Sequence, residues 1–121
     1  MINMPKITDS HCHLDFPDFN DDLSEIINNA LQNGVCRMVT ICTRLKNEPL
    51  VRKISEDYKA VYYAAGNHPM SVSSEPMANF NELISLSKHP KFIAIGETGL
   101  DYHYTSETAE AQKKSLEIHI N

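Results

Sequence analysis

No stretch of this sequence forms a basic stripe. Lysine and arginine number 11 against 16 aspartates and glutamates, giving a formal net charge of -5. Lys113-Lys114 and Arg52-Lys53 are isolated pairs of the kind that solvate helix faces. A nucleic-acid substrate would therefore need metal ions, rather than lysines, for most of its charge neutralisation. Cysteine is scarce too: Cys12, Cys36 and Cys42 are odd in number and lack C-x-x-C spacing. That argues against a disulfide framework and for a reducing compartment. The N-terminus has no apolar leader, and no run approaches membrane-spanning length, so a cytoplasmic protein with no membrane partner is expected. No glycine-rich turn follows the first apolar run, which removes the dinucleotide-binding fingerprint of open α/β sheets. Repeats and low-complexity segments are also missing.

What the chain does have is a regular alternation of strand and helix. Its 121 residues, 41% hydrophobic and 22% charged, suit one soluble domain spanning 1–121. Lys6 to Ser10 reads as a first strand. Asn20 or Asp21 can cap a helix with Leu23, Ile26, Ile27, Ala30 and Leu31 on one face, ended by Gly34. Val35 to Cys42 is a second strand, and Glu48 to Asp57 a second helix with Leu50, Val51 and Ile54 inward. Ala60 to Gly66 makes a third strand, stopped by Asn67-His68-Pro69. Asn79 to Ser87 carries Phe80, Leu83 and Ile84 at helical spacing, Phe92 to Gly96 is a fourth strand, and a fourth helix begins near Ser106. Four consecutive β-α units imply an α/β fold with parallel strands and right-handed crossovers. Polar candidates follow strands one, three and four, as they do at the C-terminal rim of a barrel. The expected architecture is the N-terminal half of a TIM-type (β/α)8 barrel, since a whole barrel needs eight units and about 250 residues.

The chemistry-bearing residues cluster at three strand ends. His11 and His13 stand at positions i and i+2, so on a strand both imidazoles share a face and Cys12 turns away, a small apolar residue. Two neutral imidazoles are an incomplete metal shell, usually completed by a carboxylate. Glu97, at the end of the fourth strand, is the candidate. Asp9 shares the parity of the histidines and is open to two readings: orienting a ligand, or a structurally paired carboxylate. His68 either contacts a substrate phosphate or fixes the His-Pro turn. Asp15 and Asp101 are expected to cap loops or helix starts. Tyr102 and Tyr104 either stack a base or cover the rim.

Three blocks carry a resemblance: Thr8-Asp9-Ser10-His11-Cys12-His13-Leu14-Asp15, then Gly66-Asn67-His68-Pro69, then Ile95-Gly96-Glu97-Thr98-Gly99-Leu100-Asp101-Tyr102. In this order and spacing they resemble the TatD-type metal-dependent hydrolases, relatives of the amidohydrolase barrels. The resemblance implies a deoxyribonuclease of exonuclease character that hydrolyses phosphodiester bonds of DNA with two divalent ions (Mg, Mn or Zn) per complete site. It assigns His11 and His13 to the first ion and makes Glu97 the catalytic bridge to the second. Two further histidines and an aspartate would come from later strands, which this chain does not contain. His119 does not match that pattern and is expected on a helix surface. Activity of the chain alone is in doubt without the late aspartate. Two other readings stay open: a hydrolase of amides or lactones using the same His-x-His, and a non-catalytic truncated homologue. An open half-barrel also exposes Ile93 and Ile95 and leaves the edges of strands one and four unpaired, so self-association is expected.

Overall fold

The structure is a computed structural model and describes residues 5–121. Four strands, β1 (Ile7–Cys12), β2 (Val35–Ile41), β3 (Val61–Ala65) and β4 (Phe92–Ile95), alternate with four helices. These are α1 (Leu23–Gln32), α2 (Glu48–Asp57), α3 (Phe80–Leu86) and α4 (Ala109–Ile120). The strands form one parallel sheet in the order β1-β2-β3-β4, so every unit pairs with the next and the two edges are β1 and β4. The α/β half-barrel architecture read from the sequence is the one observed.

The elements follow from local chemistry. Gly34, with φ 93°, takes the left-handed position just past α1 that a side chain would resist. Asn79 caps α3, its Oδ1 accepting the Glu82 N–H at 2.8 Å. Most boundaries shift by one to three residues, and two of the differences bear on the site. β1 runs on through Cys12, which puts His11 inside the strand and His13 just past it. α1 starts at Leu23 and is not capped by Asn20 or Asp21. A 3-10 turn at Pro17–Phe19 comes first, and Asn20 N–H is already donated to Pro17 O at 3.2 Å.

Alternation divides the sheet residues between two faces. On the helix side Ile27, Met38, Ile54 and Val61 form one buried cluster, and Cys42, Val51, Tyr63 and Ala65 form another. Val39, Ile41 and Ala64 pack together on the opposite face. Tyr63 is fully buried, and its hydroxyl donates to Glu48 Oε1 at 3.0 Å while Arg52 Nε lies 3.6 Å from the same oxygen. Leu50, expected to face inward, is exposed, and so are Leu31 of the apolar face of α1 and Phe80 and Ile84 of α3. Leu50 stands at the rim beyond β2, and α3 leans on α4 at the open end of the sheet, where no fifth unit covers it. Ile7 on one edge strand, and Ile93 and Ile95 on the other, are likewise exposed.

Candidate metal centre

His11, His13, His68 and Glu97 meet beyond the C-terminal ends of the strands. The parity argument holds for the first pair, whose rings stand edge to face with centroids 5.1 Å apart. Glu97 has to reach them across the sheet from the far edge, and the backbone shows how. After β4, Gly96 N–H donates to Ala65 O at 3.0 Å and Glu97 N–H to Cys42 O at 3.1 Å. The chain thus crosses the end of β3 to bond with β2. Gly66 lies directly beneath this crossing, and a Cβ there would stand 3.1 Å from Glu97 O and from Gly96 Cα. The Gly96–Glu97 peptide is cis. Glu97 Oε2 lies 3.4 Å from His11 Nε2 and 3.8 Å from His13 Nε2, with Oε1 at 3.3 Å from His68 Nε2.

Hydrogen bonds behind the rings separate the histidines by role. His13 Nδ1 lies 3.0 Å from Ile41 O, a carbonyl that can only accept, so Nδ1 carries the proton and Nε2 offers its lone pair. His68 is the reverse: its Nδ1 accepts the Met70 N–H at 3.1 Å, so the neutral ring carries its proton on Nε2 and donates toward Glu97. Asp9 accepts the backbone N–H of His11 at 3.1 Å, holding the strand rather than an imidazole. Asp101 caps its own loop, Oδ1 accepting from His103 and Tyr104 N–H, both at 3.0 Å.

Asp15 caps nothing. It is buried, its Oδ1 has no partner, and burial pushes its carboxyl above the usual range against the pull of its own backbone N–H and of His13. Tyr102 and Tyr104 are exposed at the rim. A cavity of about 380 Å³ opens beside Glu97, walled by His68, Thr98, Asp101, Tyr102 and His103. A larger one, about 480 Å³, lies away from the cluster, among Leu31, Cys36, Tyr58 and Tyr62.

The donor set fits a divalent ion. One ligand atom each from His11, His13 and Glu97 lies within 4.8 Å of the others, and two imidazoles with a carboxylate suit zinc or manganese. Three protein ligands facing an open side are also the pattern of catalytic rather than structural sites.

His119 corrects the sequence reading. It is buried, with Nε2 accepting the Asn67 N–H at 3.1 Å and Nδ1 donating to Ser115 O at 2.7 Å. Asn67 in turn accepts from Leu45 N–H at 2.9 Å, so the residue before His68 is held on both sides. Gln112 clamps the next loop, accepting from Asp101 N–H at 2.7 Å and donating to Thr105 O at 2.7 Å. The buried face of α4 is therefore polar: Gln112, Ser115 and His119, at helical spacing i, i+3 and i+7. That spacing was the available signal.

Comparison with known proteins bears on the family and the fold. A solved structure from Escherichia coli K12, described as a TatD homologue, superposes with a TM-score of 0.84 at 30% identity, over 94% of this chain and 45% of that one. An uncharacterized metal-dependent hydrolase of Buchnera aphidicola is 33% identical over 94% of this chain and 47% of its own length. A 3'-5' ssDNA/RNA exonuclease TatD of Citrobacter koseri is 26% identical over 84% of this chain and 39% of its own length. The chain spans just under half of the relatives it matches. A family profile described as TatD related DNase matches residues 8–121, and the chain belongs to that family of metal-dependent hydrolases.

Proposed function

We propose that this chain carries the first half of a two-ion centre for hydrolysing phosphodiester bonds in DNA, with exonuclease character. His11, His13 and Glu97 are the ligands in this reading, and Glu97 the catalytic bridge. The observation that carries it is the convergence of three donor atoms within 4.8 Å, one of them on an imidazole whose free lone pair is fixed by its neighbour. Bound there, a divalent ion supplies charge neutralisation at phosphoryl oxygens and a lowered pKa for water. His68 offers its Nε2–H to the same space and can hold a phosphate oxygen. Without substrate the same N–H faces Glu97 Oε1 at 3.3 Å and steadies the carboxylate. The relative named as a single-stranded DNA and RNA exonuclease supports nucleic acid as the substrate class.

The same reading treats 1–121 as one folding unit that works in the cytoplasm, consistent with three free cysteines. Among the described residues no helix is long and apolar enough to cross a membrane. The exposed apolar residues at both sheet edges are the surface for self-association.

The chain itself is titrated with Mn²⁺ and assayed on a labelled single-stranded oligonucleotide. Expected are cleavage abolished by EDTA, and metal affinity reduced at least about hundredfold in Glu97→Ala, more than the 10- to 100-fold usual for an outer-shell change. Cleavage that survives EDTA or Glu97→Ala defeats the metal-dependent assignment to this centre. Metal binding without any cleavage moves the chain to the non-catalytic homologue.

A further inference from the structure

Asn67 does more than end β3. The residue is 4% exposed, and both ends of its carboxamide are engaged. Oδ1 accepts the Leu45 N–H at 2.9 Å, and Nδ2 donates to Pro76 O at 3.4 Å. One side chain therefore ties the 3-10 turn that follows β2 to the segment that follows β3. A carboxamide carries its acceptor and its donor on two separate atoms, which a hydroxyl or a carboxylate cannot do. The backbone is fixed from a third direction, its N–H donating to Nε2 of buried His119 at 3.1 Å. His119 is oriented for this by its own helix: Nδ1 donates to Ser115 O at 2.7 Å, so Nε2 keeps the lone pair.

The next residue is His68. Inside its own turn, Nδ1 accepts the Met70 N–H at 3.1 Å and the carbonyl accepts the Ser71 N–H at 2.8 Å. Those two bonds set the ring's rotamer and which nitrogen carries the proton, but not where the turn stands relative to Glu97. That placement comes from outside the turn. His68 N–H donates to Thr43 O at 2.9 Å, and through Asn67 the turn is held by Leu45, Pro76 and His119. A second tie crosses beside the first, where Lys46 Nζ lies 2.9 Å and Arg44 Nη1 3.6 Å from Oε1 of the buried Glu75 carboxylate. Lys46 belongs to the same turn as Leu45.

We propose that Asn67, held by His119, is the positioning residue that seats His68 against Glu97 and so aims its Nε2–H at a phosphate oxygen. The inference rests on the phosphodiesterase reading, in which His68 is the group that holds phosphate. His11, His13 and Glu97 hang on β1 and on the crossing over β3, whereas the His68 donor depends on this buried bridge. Removing the carboxamide leaves the Leu45 N–H and Pro76 O without their partner, and the turn loses its tie to the segment after β2. The damage falls on phosphate binding and spares the metal ligands.

The test compares Asn67→Ala with the parent, each as the full isotope-labelled chain. In the metal-free parent, NOEs should connect the His68 ring to the Glu97 side chain, and a ¹⁵N–¹⁵N coupling should cross the hydrogen bond from Asn67 to His119. In Asn67→Ala the His68–Glu97 NOEs should vanish. Calorimetry should give an unchanged Mn²⁺ affinity, while inorganic phosphate binds the Mn²⁺-loaded variant about tenfold or more weakly, as for a lost hydrogen bond to a charged group. A merely structural role would lower both affinities together. His119→Gln, whose Oε1 can accept the Asn67 N–H in place of Nε2, should keep the NOEs and the phosphate affinity; His119→Ala should lose both. That pair carries the comparison if Asn67→Ala does not fold. A missing Asn67–His119 coupling in the parent, NOEs that persist in Asn67→Ala, or equal losses of Mn²⁺ and phosphate affinity overturn the proposal. Metal-independent cleavage together with lost NOEs would remove the phosphodiesterase reading of this centre and leave the seat of His68 standing. Metal-dependent cleavage with the NOEs intact in Asn67→Ala would do the opposite.

Discussion

Adding one methyl group at Gly66 tests how the metal centre is assembled. Gly66 has an ordinary backbone conformation, so the Gly66→Ala effect is purely steric. The new Cβ would sit 3.1 Å from Glu97 O, Gly96 C and Gly96 Cα. Carbon atoms pack best at about 3.5–4.0 Å, so something must retreat by several tenths of an ångström. A flexible side chain would yield cheaply, but all three atoms are backbone. That backbone is held by Gly96 N–H to Ala65 O at 3.0 Å and by Glu97 N–H to Cys42 O at 3.1 Å. Overpacking of this kind costs about 1–3 kcal/mol, which lowers Tm by roughly 3–15 °C in a chain of this size. The displaced segment is the one that carries Glu97, and misplacing a site residue by 1 Å can cost about 100-fold in function. Calorimetry should therefore show Mn²⁺ affinity falling about tenfold or more together with the fall in Tm. Gly99→Ala is the control. Its φ of 145° makes it costly by about 1–3 kcal/mol, but open space surrounds it and Glu97 is not pushed. If Gly66→Ala keeps wild-type Tm and metal affinity, the crossing over β3 does not set the position of Glu97, and the assembly argument fails.

Other outcomes follow from the same contacts. His119→Leu leaves the buried Asn67 N–H without its acceptor, so chemical denaturation should show a loss of about 1–3 kcal/mol; unchanged stability would remove His119 from the network. Burial pushes the Cys12 and Cys42 thiols up to about 12, helped at Cys12 by Asp9 and Asp15. Both should resist alkylation of the native chain at pH 8, buried Cys42 more than half-buried Cys12, which mass spectrometry reads directly; rapid labelling of either would contradict the raised thiol pKa. For the same two groups the folded pKa is raised above 9.0, so the stability they contribute is complete below pH 9 and is lost as pH climbs toward 12. Cys42→Ala should flatten the fall in Tm over that interval. Light scattering should give a mass above 13.7 kDa that grows with concentration, as the exposed Ile7, Ile93 and Ile95 edges associate. A monomer at every concentration would count against that surface.

Which parts of this arrangement were legible in the sequence depends on whether the cause is local. The helices and strands were, because Ile27, Val51 and Leu83 recur at the period of the element that buries them. His11 and His13 were, because strand parity is a property of neighbouring residues. Glu97 was found by its chemistry and by its place at a strand end, although the route by which it reaches the histidines was not. That route depends on the absence of a side chain at Gly66, thirty-one residues earlier in the chain, and no local pattern records a contact between two strand ends. The face of α4 was hidden for another reason. Gln112, Ser115 and His119 have the spacing of a buried stripe but the composition of a solvated one, and a reading weighted by hydrophobicity sends them outward. What pulls them in is unpaired backbone: Asn67 N–H, Asp101 N–H and Thr105 O each need a partner once their loops fold over the rim. A polar stripe at helical spacing that follows a loop-borne site is therefore better read as the clamp on those loops. Here that places the last helix in charge of His68 and of the cavity wall beside Glu97, and it makes the stability of α4 a condition for the geometry of the centre.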